Sequence, residues 1–204
     1  METKTCIRKR ILAIRNELSE EERVSKSSQI EEKLFKLKEY CEADCILGFI
    51  GYGGEVETIS FLEKAVSDGK KVYCPVSNED GTMEFYRFVS KDDLVEGYKR
   101  IPEPSRQAEK FERAVGKPAS GGDEGTAKCL KQKEEKVFMI MPGVAFDKAK
   151  HRAGYGKGFY DRYLAAYLPD FLIAVCFDCQ MVENVPAEEH DFVPHKLITE
   201  FHEY

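Results

Sequence analysis

What this sequence does not contain narrows what it can be. No stretch approaches the ~18 consecutive apolar residues that a membrane span requires. The first ten residues, METKTCIRKR, are basic, but no apolar segment follows them, so they do not form a secretory signal. Positive charge is in deficit: 31 Lys and Arg face 37 Asp and Glu, a net charge of −6 over 204 residues. That balance excludes the broad basic face that a grip on DNA or RNA needs. A soluble, cytoplasmic protein without membrane or nucleic-acid partners is expected.

Paired metal motifs are missing as well. Seven cysteines, at positions 6, 41, 45, 74, 129, 176 and 179, are odd in number and scattered, which argues against a disulfide framework. Cys176 and Cys179 form one CxxC, in or just after the strand-like run LIAVCFD, where positions three apart face opposite sides. No second CxxC completes a four-thiolate site. The histidines at 151, 190, 195 and 202 lack helical metal spacing. Buried reduced thiols and packing or surface histidines are expected. No internal repeat is visible.

What is present is an ordinary globular composition, 42% apolar and 33% charged, at a length suited to one domain with a sizeable core. Two helices open the chain, the first over residues 4–18 and the second after the capping box Ser19-Glu-Glu-Glu22. Val24, Ile30, Leu34 and Leu37 give the second an apolar stripe. CILGFIGY (45–52) has the short, continuous apolar character of a buried strand. Thr58 can cap a helix that Gly69 stops, and KVYCPV (71–76) supplies the next buried strand. Beyond the turn NEDG (78–81), TMEFYRFV alternates like an edge strand. A second β-α-β unit follows: KVFMIMP (136–142), a helix near 158–168, and FLIAVCF (171–177), with LITEF (197–201) as a last strand. This alternation predicts an open, mostly parallel α/β sheet with helices on both faces, a three-layer, Rossmann-like domain. Residues 106–133 hold four glycines and only Phe111, Val115 and Leu130 as large apolar side chains, which predicts a mobile surface insertion.

The stretch GYGKGFYDR (154–162), with Arg152 just ahead, carries the chemistry. In an open α/β fold, ligands bind beyond the carboxyl ends of the strands, where loops lead into helices. Here a strand ends at Pro142, a glycine-rich loop follows, and a helix begins near Gly158. Unobstructed backbone N–H groups at a helix start form an anion site, and Arg152 and Lys157 add charge beside it. The established phosphate fingerprints do not match, since Gly158 stands where Walker A needs Ser or Thr and GxGxxG spacing is absent. From these residues alone, a phosphate site and a structural turn both remain open.

Several ordered motifs together resemble the 5-formyltetrahydrofolate cyclo-ligase (5,10-methenyltetrahydrofolate synthetase) family along nearly the whole chain. They are PGVAFD with GYGKGFYDR, Lys4-x-x-x-Arg8, the Leu-Ser-x-Glu-Glu-Arg pattern from Leu18 to Arg23, Glu57-Thr58, Ile101-Pro-Glu-Pro104 and Glu189-His-Asp191. Two positions depart from the family pattern: Lys150 stands where a glycine is usual, and Ala153 where a leucine is. The insertion at 106–133 is also longer than usual.

The resemblance implies ATP- and Mg²⁺-dependent closure of 5-formyltetrahydrofolate to 5,10-methenyltetrahydrofolate by a monomeric or weakly associating enzyme whose partners are two small molecules. It assigns Lys4 and Arg8 to the ATP phosphates, with Arg152, Gly154, Tyr155, Gly156, Lys157, Gly158, Phe159 and Tyr160 wrapping the triphosphate and Arg152 and Lys157 as the catalytic charges. Tyr52 and Glu57, together with Tyr155 and Lys157, would contact folate, and Asp161 and Asp191 would hold Mg²⁺. Without the resemblance, Lys4 and Arg8 are a solvated basic face, Glu57 and Asp161 are helix-start charges, and Asp191 is a turn residue. Another α/β nucleotide- or sugar-phosphate enzyme and a non-catalytic nucleotide-binding regulator are the competing readings.

Overall fold

Local chemistry explains where the chain turns helical. Thr3 caps α1 (Lys4–Asn16) by accepting the Cys6 N–H. Ser19 and Glu22 exchange side-chain and backbone hydrogen bonds in the expected capping box that opens α2 (Glu20–Lys36), and a short α3 (Lys38–Glu42) follows. The computed structural model, which describes residues 2–112, 135–188 and 191–204, continues through β1 (Cys45–Leu47), α4 (Ile59–Ser67), β2 (Lys71–Ser77) and β3 (Met83–Arg87). A hairpin of β4 (Leu94–Glu96) and β5 (Pro102–Pro104) precedes β6 (Val137–Met141). The two-residue strands β7 (Ala145–Phe146) and β8 (Arg152–Ala153) pair ahead of α5 (Phe159–Ala166), and β9 (Phe171–Val175) and β10 (Lys196–Ile198) complete the order. No described helix is long and apolar enough to cross a membrane.

Six strands form one sheet in the order β10-β9-β6-β1-β2-β3. All neighbouring pairs are parallel except β2 and β3, which makes β3 an antiparallel edge. Strand alternation divides the core. Ile46, Val72, Phe138 and Ile173 pack with Ile30 and Leu34 of α2, Tyr40 of α3 and Phe61 of α4 on one face. Leu47, Met139, Met141 and Leu172 meet Leu164 and Tyr163 of α5 on the other. The expected three-layer α/β architecture is therefore observed. The first helix is held differently, through Ile7 and Ile11 against Val144, Ala145 and Ala153 on the loop that leaves β6. Two fully buried side chains supply roughly 3–6 kcal/mol before the entropy of docking.

Several local expectations change. Val24 is 49% exposed because it falls off the Ile30–Leu34–Leu37 stripe, and Ser27, one turn before Ile30, takes the buried place. Only Cys45–Leu47 pairs as a strand, although the chain stays buried to Ile50. Thr58 precedes α4 without capping it: its hydroxyl turns inward, donating to the Phe49 carbonyl and accepting the Gly51 N–H. The cap comes from α2, where Glu31 accepts the Ser60 hydroxyl and the Phe61 N–H. Cys176 is buried just past β9 and Cys179 sits on a separate 3-10 turn, so the CxxC does not occupy one strand. Residues 106–112 are not a loose start to an insertion, since Glu109 and Phe111 exchange backbone hydrogen bonds with Arg87 and Phe85 of β3 and extend the sheet edge. The remainder of that expectation, from 113 to 133, lies outside the described residues.

Candidate active site

The chain leaves β1 toward β2 on one side and leaves β6 toward β9 on the other, while β1 and β6 lie side by side. The strand order therefore reverses between them, and the loops from their carboxyl ends diverge around a crevice. The residues the sequence singled out lie on these two loops, on α1, in the first turn of α5, or near the C-terminus.

The loop after β6 is shaped by glycine and held by arginine. Gly156 (φ 89°) and Gly158 (φ 65°) occupy the left-handed region, where a side chain would strain the backbone. Gly158 is also the N-cap of α5 and brings no capping side chain, so the N–H groups of the first turn are left for a ligand. Arg8 Nε donates to the Gly154 carbonyl at 2.5 Å. Arg162 Nη2 donates to the carbonyls of Lys157 and Gly81, both at 2.6 Å, tying the loop to the β2–β3 turn. Upstream, Lys150 adopts φ 69° in the Asp147–Lys150 turn, which explains why a glycine would suit that position, and its ammonium donates to the His195 carbonyl. Ala153 is fully buried beside Ile7 and Ile11.

This loop and α1 enclose a cavity of about 230 Å³. Lys4 and Arg8, one helical turn apart, form one wall. Arg152 and residues Gly154 to Asp161 form the floor, and Glu188 and Asp191 close the rim. Four cations thus meet three carboxylates. Lys4 pairs with Asp191 at 2.6 Å and Glu188 at 3.2 Å, and Arg152 Nη2 with Asp161 at 2.6 Å. Arg152 is buried and its Nε has no hydrogen-bond partner among the described residues. The exposed ammonium of Lys157 meets no carboxylate among them. Asp161 and Asp191 offer hard oxygen donors beside these cations, and no cluster of three metal-ligating side chains occurs among the described residues. That donor set fits Mg²⁺, which takes one or two protein carboxylates and completes its shell with phosphate and water.

A second hollow, about 310 Å³, opens beside the loop after β1 and is lined by Arg23, Tyr52, Glu55, Glu57 and neighbouring backbone. Tyr52 and Glu57 are exposed at its rim, and the Glu57 N–H donates to Ser27. Glu55 is the half-buried carboxylate: Oε2 accepts the Tyr52 N–H at 3.1 Å, Oε1 accepts the Tyr155 hydroxyl at 2.7 Å, and burial pushes its carboxyl up. Tyr155 lines the first hollow, and its hydroxyl bonds to Glu55 in the lining of the second. Beneath it lies Arg15, 2% exposed, whose Nη2 donates to the Tyr155 oxygen and the Gly53 carbonyl, both at 2.9 Å.

The geometry thus brings Lys4, Arg8, Arg152, Gly154–Asp161 and Asp191 into one cavity and places Tyr52 and Glu57 in an adjoining one. Sequence reasoning missed Glu55, Glu188 and Arg15. Only Arg15 left a signal, as the charged third member of the Ile7–Ile11–Arg15 helical stripe. A larger hollow of about 420 Å³, between β3 and the β4–β5 hairpin, lies at the opposite end of the strands, away from the switch point.

Comparison with known proteins shows the family and the fold. The family model described as the 5-formyltetrahydrofolate cyclo-ligase family matches residues 1–200. The chain is 28% identical over 189 residues to the 5-formyltetrahydrofolate cyclo-ligase of Escherichia coli K12, covering 91% of this chain and 93% of that one. It is 25% identical over 189 residues to the mouse protein of the same name, covering 90% and 86%. The solved 5,10-methenyltetrahydrofolate synthetase of Aquifex aeolicus superimposes with a TM-score of 0.77 at 26% identity, covering 98% of this chain and 91% of that one. With the sequence matched from its first residue to its two-hundredth and the fold shared throughout, this chain belongs to the 5-formyltetrahydrofolate cyclo-ligase family.

Proposed function

We propose that the protein is an ATP- and Mg²⁺-dependent ligase that closes 5-formyltetrahydrofolate to 5,10-methenyltetrahydrofolate, releasing ADP and phosphate. The observation that carries this reading is the pair of hollows at the switch point, the first rich in cations and glycine backbone, the second holding Glu55 and Glu57, joined by the hydrogen bond from Tyr155 of the first to Glu55 of the second.

The chemical difficulty is that a formamide carbon is a weak electrophile whose oxygen would have to depart as hydroxide. Transfer of the γ-phosphoryl group to the formyl oxygen breaks the bond to ADP and makes that oxygen part of a phosphate leaving group. N10 then attacks the activated carbon, forming the new C–N bond as phosphate departs and the N10 proton is lost. Such transfer depends on positioning and charge neutralisation. A triphosphate entering the first cavity competes with Asp191 for Lys4 and with Asp161 for Arg152. It also accepts from the N–H groups at the start of α5. The freed carboxylates of Asp161 and Asp191 would hold Mg²⁺, which when bound neutralises charge on the phosphate oxygens. Lys157, exposed and meeting no carboxylate among the described residues, supplies a point charge to the phosphoryl group in transit, while buried Arg152 supplies a fixed one.

Folate occupies the second hollow. Glu55, its carboxylate oriented by Tyr155 and Tyr52, accepts the N–H donors of the amino-pyrimidinone edge, with Glu57 and the Tyr52 ring at the rim. The enzyme acts as a cytoplasmic monomer on these two small molecules.

The test is direct. Purified protein mixed with 5-formyltetrahydrofolate and MgATP is expected to generate the near-ultraviolet absorbance of the methenyl product in step with ADP. Folate-independent ATP hydrolysis would assign the cavity to a different phosphoryl-transfer enzyme, and nucleotide binding without turnover would make the protein a regulator.

A further inference from the structure

A guanidinium is always charged and can only donate hydrogen bonds. Arg15 carries such a group at 2% exposure, and its Nε and Nη1 have no partner among the described residues. Replacing buried charge with apolar side chains is often neutral or stabilising, so this arginine is poorly explained by stability alone. What it does touch is informative. Nη2 donates to the Tyr155 oxygen and to the Gly53 carbonyl, so one guanidinium holds both loops of the switch point.

The donor-only character of arginine has a consequence for Tyr155. Its oxygen must accept from Arg15, so its own O–H has to point elsewhere, and the acceptor in reach is Glu55 Oε1 at 2.7 Å. The chain of donation runs Arg15 to Tyr155 to Glu55 and cannot reverse. The Arg15 guanidinium carbon also lies 5.8 Å from the centroid of the Tyr155 ring, and Tyr155 lines the phosphate cavity. A phosphate that orders the glycine loop thereby fixes Tyr155, and Tyr155 fixes the carboxylate in the neighbouring hollow. The same chain acts in the opposite direction, because linkage is reciprocal.

We propose that Arg15 is a positioning residue which, through the one-way hydrogen-bond chain Arg15–Tyr155–Glu55, couples occupancy of the phosphate cavity to occupancy of the hollow beside β1, so that nucleotide and folate tighten one another. The inference rests on the assignment of those two ligands made above. Whichever ligand arrives first orders the chain, and the second meets it already in place.

The experiment is isothermal titration of the β,γ-imido analogue of ATP, with Mg²⁺, into the protein with and without saturating 5-formyltetrahydrofolate. The readout is the ratio of the two dissociation constants, which a merely structural role for Arg15 would leave unchanged in a folded variant. Wild type is expected to show a ratio in the usual allosteric range of about 5- to 150-fold. Tyr155→Phe, which removes one hydroxyl, and Arg15→Met should each bring it to within about two-fold of unity, and the double variant should go no further. A wild-type ratio retained in Tyr155→Phe overturns the proposal, and that variant decides the matter even if Arg15→Met does not fold. Two ligands that bind wild type independently overturn the coupling alone. A wild type that binds neither ligand overturns the functional assignment and the coupling with it.

Discussion

The loops that leave β1 and β6 carry similar numbers of glycines, yet they are held in opposite ways. The loop after β1 takes one outside bond, from Arg15 to the Gly53 carbonyl, and is otherwise fastened mainly by its own short-range polar groups: Thr58 bridges the Phe49 carbonyl and the Gly51 N–H, and the Tyr52 N–H donates to Glu55. The loop after β6 is gripped from outside by Arg8, Arg15 and Arg162, which come from α1 and α5. A self-fastened loop presents a fixed shape and suits a flat, hydrogen-bonding ring. A loop surrounded by exchangeable ion pairs suits a polyanion, because the incoming charge replaces bonds that already exist. Glycine content alone could not have distinguished the two.

Mutations on each side should therefore fail differently. The largest effect is expected from Asp161→Asn, with turnover falling by about 100-fold or more, the scale of losing one group that stabilises a transition state. Its Mg²⁺ requirement should rise in a titration at saturating ATP. Lys157→Met should lose rate or ATP affinity with little change in Mg²⁺ demand, because it supplies charge and no coordination. An unchanged Mg²⁺ requirement in Asp161→Asn would reduce that carboxylate to a helix-start charge. On the other side, Glu55→Gln is expected to raise KM for folate about 10- to 100-fold, since a hydrogen bond to a charged group contributes ~1.5–3 kcal/mol, with a smaller rise in KM for ATP through the Tyr155 link. Glu57→Gln, at the rim, should do less. A larger effect at Glu57 would move the folate contact outward.

Two further variants test what lies beneath the loops. Phe111 packs edge-on against Tyr73 and Tyr167. Its replacement by alanine should cost about 2 kcal/mol in denaturant unfolding, less than a fully buried Phe→Ala because Phe111 is only half-buried. Exchange of residues 113–131 for a short Gly/Ser linker should leave cooperative unfolding intact. The smallest effect is Lys150→Gly, which relieves a left-handed side-chain position but gives up the bond to the His195 carbonyl and adds freedom to the unfolded chain. A net gain of about 0.5 kcal/mol in thermal stability is expected, with turnover unchanged.

Much of this molecule is legible from its residues, for reasons that are local. The buried strands announce themselves as continuous apolar runs, and Ser19 with Glu22 is a capping box whose partners are three residues apart. The glycine-rich loop is recognisable because strand, glycines and helix follow in order. What escaped is set by distant partners. Thr58 should cap α4 by sequence, but the Phe49 carbonyl competes for its hydroxyl, and Glu31, on another helix, takes over the cap. Glu55 and Glu57 are indistinguishable in sequence, and only the approach of Tyr155, 100 residues later, separates the inner carboxylate from the outer.

The pairing of Lys4 with Asp191 spans 187 residues and closes the cavity wall. Neither of the two clusters that pack on the sheet contains a residue of α1, so the sheet core does not depend on the helix that forms this wall of the cavity. Because α1 docks through only Ile7, Ile11 and its polar contacts, amide exchange there should be faster than in the central strands, and ligand should slow it. Slowed exchange in α1 would then report that the cavity wall has closed over its ligand.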